Sequence, residues 1–130
     1  MIVTAPTTFR TTAAAPSAPV APDPGIEFAH ALVEVEHARS GVLAGEFDQL
    51  PTIDAAVAHV TEGFALLGPD ASFDPARKQA QGALRELQGA RYHVDNLDRG
   101  TTDVTLHQHL AVEWLGQARG YLNEIAASLA

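Results

Sequence analysis

Six histidines stand in an acidic chain of 130 residues, and their spacing relative to carboxylates is the first place to look for chemistry. Two Glu-x-x-His runs occur close together, Glu27-Phe28-Ala29-His30 and Glu34-Val35-Glu36-His37. On a helix this spacing places a carboxylate and an imidazole on one face, the arrangement that two-metal four-helix bundles use. Those bundles need the motif on two helices, with a further Glu from each of the others. Here both copies fall in one segment and project away from its main apolar stripe. The ordinary expectation is therefore a solvated face, and the chemical alternative is a surface site for a divalent ion formed by His30, Glu34 and His37. His109 and Glu113, and His93 and Asp98, repeat the pattern of a base near an acid, but a His-x-x-x-His pair is missing. His107 differs from the rest. It falls on the apolar side of its segment, one turn before Ala111 and two before Trp114. A buried imidazole needs a hydrogen-bond partner. His107 is thus expected either as a satisfied interior histidine or as a second candidate metal ligand.

Other catalytic arrangements are weak. The serines are Ser17, Ser40, Ser72 and Ser128, none in a nucleophile-elbow context, and no glycine-rich phosphate loop follows a strand. Cysteine is absent, which excludes a disulfide framework and thiolate metal sites. No enzyme activity is expected, and no cofactor beyond the divalent metal of the alternative reading.

Charge narrows the partners. From Asp23 to Asp74 the acids are Asp23, Glu27, Glu34, Glu36, Glu46, Asp48, Asp54, Glu62, Asp70 and Asp74, against Arg39 as the one base. From Pro75 onward acids and bases balance. A negative front half repels phosphate backbones, so direct nucleic-acid binding is not expected, whereas cations and basic protein surfaces are attracted. No run approaches the ~18 apolar residues of a membrane span. Met1 to Val20 carries only Arg10 and no apolar core of the signal-peptide kind, so a cytoplasmic protein is expected.

The elements that position these residues follow from start and stop signals. Residues 1–22, rich in Pro, Ala and Thr, read as an extended or disordered arm. Residues 23–130 read as one helical domain. Its first helix opens at Asp23-Pro24, runs to about Ala44 and stops at Gly45. The second opens at Thr52 after Pro51 and stops at Gly68-Pro69. The third opens at Asp74-Pro75 and stops near Gly100, and the fourth starts near Thr102. Stepping 100° per residue gives each an apolar stripe. These are Phe28, Leu32, Val35, Val42 and Leu43; Ile53, Val57, Val60, Phe64 and Leu67; Ala80, Ala83, Leu84, Leu87, Ala90, Val94 and Leu97; and Val104, Ala111, Trp114, Leu115, Ala118, Leu122, Ile125 and Leu129. Four such stripes joined by short loops predict an all-α antiparallel four-helix bundle running up-down-up-down.

Two features remain outside that frame. Gly82, Gly89, Gly116 and Gly120 lie inside predicted helices, where each costs roughly 1 kcal/mol relative to Ala unless something approaches closely. The first helix also carries a second apolar strip, Ile26, Ala29 and Val33, roughly opposite the first. A helix apolar on two sides touches two things. The expected function is therefore a non-catalytic helical module that binds a protein partner or forms a homo-oligomer. The alternatives are a His/carboxylate metal-binding bundle and an acidic inhibitor that mimics nucleic acid.

Overall fold

The computed structural model describes residues 22–130; apart from Pro22, the arm expected over 1–22 lies outside them. Among the described residues the helical elements follow in order: α1 (Pro24–Leu43), α2 (Leu50–Leu67), a short 3-10 turn (Ala71–Phe73), α3 (Asp74–Asp98) and α4 (Val104–Leu129). Each helix packs on its neighbours in sequence, and α1 closes the square against α4. The chain is a four-helix bundle, as the periodicity predicts. No helix among the described residues is long and apolar enough to cross a membrane.

The helix ends show why the segments stop where they do. Asp23 caps α1 by accepting a 2.8 Å bond from the Gly25 N–H, with Pro24 in the first turn. At the other end Gly45 takes φ 82°, a left-handed conformation that glycine adopts without strain. The Glu46 N–H then reaches back to the Gly41 carbonyl at 2.8 Å and the Gly45 N–H to Val42. The same closure ends α3, with Gly100 at φ 82°, Thr101 bonded to Asn96 and Gly100 to Leu97. Both are double-bonded caps that satisfy carbonyls the helix leaves bare. Between α2 and α3, Arg77 donates to the carbonyls of Gly68 and Asp70 and to the Asp74 carboxylate, fastening the turn.

The interior is built from the predicted stripes, with additions and corrections; Ala56 of α2 and Ala76 of α3 join it. Ala31 and Ala38 are fully buried on α1, while Leu43 is 55% exposed. Leu43 is the last residue of its helix and Val104 the first of α4, and both are exposed at the ends of the bundle's helices. Helix α2 begins at Leu50, so Pro51 sits inside its first turn rather than before it. Asp74 is the first residue of α3, not its cap, because the 3-10 turn runs directly into the helix. Phe47 and Phe73, both in connections, pack against the core that the helices make.

Glycines set how closely the helices approach. A Cβ on Gly82 would lie 2.8 Å from the Tyr121 ring, and one on Gly89 would lie 2.6 Å from the Trp114 indole. Both pairs are seven residues apart, so two aromatic rings of α4 sit in two notches of α3. On the other hairpin, Phe28 of α1 occupies a notch at Gly63 of α2, 2.8 Å from where a Cβ would be. The side chain of Gln49 fills the space over Gly41.

Candidate functional site

The Phe28–Gly63 notch determines what its neighbours can reach. Glu27 precedes Phe28 on α1, and His59 lies one turn before Gly63 on α2. Seating Phe28 on Gly63 therefore brings the Glu27 carboxylate to the His59 imidazole, where His59 Nδ1–H donates to Oε1 at 2.9 Å. His30, one turn along α1 from Glu27, turns its ring edge-on to His59, with centroids 5.1 Å apart and planes at 69°. One ligand-type atom from each of Glu27, His30 and His59 lies within 4.8 Å of the others. His30 is exposed; the side chains of His59 and Glu27 keep 33% and 25% of their surface in water.

The cluster shares only His30 with the set His30, Glu34 and His37 that the spacing suggested. Glu34 is half-buried and His37 exposed, and the structure draws neither into a group of three ligand-type side chains. The missing member, His59, comes from a different helix. The remaining candidate, His107, is half-buried and has the partner a partly enclosed imidazole needs: His93 of α3, with Nδ1 atoms 2.9 Å apart. One ring must donate its Nδ1–H to the bare Nδ1 of the other. Tyr92 stands edge-on to both rings, at centroid distances of 5.1 Å and 6.3 Å. Burial, and secondarily the repulsion of a charged His107, hold the His93 pKa below its ordinary value.

The strip Ile26, Ala29 and Val33 faces outward from α1. Ile26 is 46% and Val33 64% exposed, large fractions for branched aliphatic side chains. Ala29 also lines a cleft of about 480 Å³ between the start of α1 and the end of α4, whose walls include Phe28, Leu32, Phe73, Leu122 and Leu129. A second set of exposed apolar groups, Tyr92 and Leu106, lies on the α3–α4 side and was not singled out from the sequence.

The charge asymmetry becomes an arrangement of two layers. The acidic α1–α2 hairpin meets the balanced α3–α4 hairpin through Arg91–Asp54 at 2.8 Å and Arg119–Glu36 at 3.3 Å. Arg39 passes over Gly116, and its buried Nε has no hydrogen-bond partner among the described residues. Compared with protein-family models, curated proteins and solved structures, the chain matches none.

Proposed function

We propose that the bundle is a non-catalytic docking module whose working surface is the outer side of α1, and that its partner is a basic, amphipathic protein segment. The observation that carries this reading is the exposure of Ile26 and Val33 on a helix that already buries Phe28, Val35 and Val42 on its other side. Two branched side chains two turns apart, with Ala29 between them, form a shallow apolar track. That track borders the cleft under Ala29, which has room for an anchoring side chain.

Charge selects the kind of partner. The track lies on the acidic hairpin, where eight carboxylates stand against a single arginine from Asp23 to Leu67. Two copies meeting through this face would bring like charge together, whereas a basic segment gains on approach. Association through so small a track is weak unless the cleft is also filled.

The test compares partner capture from the native host by wild type, by Ile26→Glu with Val33→Glu, and by Leu106→Glu. The double variant is expected to lose its specific partner while keeping the wild-type helical spectrum and melting temperature, and Leu106→Glu to retain it. Capture that survives the double variant would sink the reading. Sedimentation across a concentration range should show a monomer; a dimer abolished by the double variant would make the occupant a second copy.

A further inference from the structure

We infer that Glu27, His30 and His59 form a binding site for one divalent transition-metal ion of the zinc class. This goes beyond docking, and it uses a different edge of α1, the one turned toward α2.

The ligand set is one carboxylate and two imidazoles, all of which zinc accepts. Two nitrogen donors select against magnesium and calcium, which take oxygen. The donors come from two helices whose spacing is set elsewhere, by Phe28 against Gly63. Gathering them therefore needs no new backbone arrangement. Their atoms lie within 4.8 Å of one another. A tetrahedral zinc ion, with bonds of about 2.0–2.2 Å, requires ligand atoms roughly 3.3 Å apart. The Glu27–His59 pair is already at 2.9 Å, held by a proton that the metal would replace. It must open by a few tenths of an ångström. His30 supplies the remaining motion, and it is exposed, so its side chain turns without disturbing the core.

A simple ion pair does not account for the group. A Glu–His pair is complete with two members, yet His30 turns its ring edge-on to the same His59. With both imidazoles neutral the cluster carries the charge of one carboxylate. It sits on the hairpin that concentrates the chain's excess acid, where a cation is favoured. Three protein ligands leave the fourth position to water, so the site is open rather than closed. The contrast with His93 and His107 is informative. That pair is equally close at 2.9 Å but belongs to no group of three ligand-type side chains among the described residues.

The experiment titrates zinc chloride into the full 130-residue chain carrying no histidine tag, by calorimetry, with circular dichroism on every variant. Wild type should bind one zinc per chain and melt at a higher temperature when loaded, because the ion ties α1 to α2. Glu27→Gln, His30→Ala and His59→Ala should each weaken binding by about tenfold or more, the scale on which even outer-shell changes act. His59→Cys should restore it, since a thiolate is also a zinc ligand. His37→Ala, Glu34→Gln and His93→Gln should bind as wild type does. The inference is overturned if wild type takes up no zinc in the micromolar range, if binding survives His59→Ala, or if His37→Ala lowers it equally. Should His59→Ala alter the helical spectrum, His30→Ala decides, because the exposed His30 contributes nothing to the core.

Discussion

The two hairpins of the bundle each bring a pair of histidines together across a helix–helix seam, and only the first adds a carboxylate. On α1–α2, His59 gives its Nδ1 proton to Glu27 while His30 stands beside it. On α3–α4, His93 pairs with His107, and both meet the edge of Tyr92. A carboxylate beside an imidazole gives a mixed oxygen and nitrogen donor set of the kind a zinc-class ion accepts. A second imidazole at the same distance accepts one proton between the two rings and repels another. The same residue type at the same separation thus forms the proposed cation site in one hairpin and a pair of imidazoles without a carboxylate in the other. The seams differ in a parallel way. The α3–α4 seam buries two aromatic rings of one helix in two glycine notches of the other. The α1–α2 seam has one such ring, Phe28, and leaves His30 and the Ile26–Val33 track exposed.

The largest effect should come from filling a notch on the closed seam. Gly89→Ala places a Cβ 2.6 Å from the Trp114 indole, a distance at which something must move. The ring is rigid and half-buried, so the helices must part or Trp114 must leave its rotamer. Overpacking of this kind costs about 1–3 kcal/mol. Urea unfolding should show a lower midpoint with an unchanged slope. A midpoint equal to wild type would mean that the notch is not what holds α3 against α4.

Acid should act on the α3–α4 histidine pair. Burial, followed by His107, lowers the His93 pKa in the folded chain, so the unfolded chain binds protons more readily at this position. The stability this group contributes is present above the ordinary histidine range. It is lost as the pH falls through that range toward the lowered native value. Melting temperature should therefore fall between about pH 7 and pH 5, and fall less steeply in His93→Gln, which lacks the titrating ring. Identical slopes for the two proteins would remove the α3–α4 pair from the comparison.

How far this was legible in the sequence depends on whether a feature is local. Helix ends were, because Asp23-Pro24, Gly45 and Gly100 act within a few residues of themselves. The α2 start was missed by two residues, because Pro51 is compatible with the first turn as well as with the position before it. Glu27 and His30 were legible as an i,i+3 pair. Pairing His30 with Glu34 and His37 followed from staying on one helix, where spacing is the only guide. His59 could join only once the offset of α2 along α1 was known, and that offset is decided by Phe28 meeting Gly63, a contact between distant positions. The glycines Gly82 and Gly89 announced a close approach without saying to what. Trp114 and Tyr121 could be matched to them only in three dimensions, although their own seven-residue spacing was a signal open to reading.

The smallest effect concerns the glycines of α4, which look alike in sequence to those of α3. Gly116 and Gly120 are interior to α4, yet a Cβ on Gly120 would meet nothing within 4 Å and one on Gly116 only Arg39, at an ordinary 3.8 Å. No left-handed conformation is needed at either position, since the glycines with positive φ are Gly45, Gly68 and Gly100. The conformational entropy that glycine loses on entering a helix is then uncompensated by any contact. Gly120→Ala should stabilise the bundle by about 0.5–1 kcal/mol, raising the urea midpoint with an unchanged slope. The sign is what matters. Gly89→Ala and Gly120→Ala make the same chemical change within helices of one hairpin, and the geometry assigns them opposite outcomes. Two losses would mean that the outward side of α4 is covered in solution, and α4 would then become a second docking face to weigh against the Ile26–Val33 track.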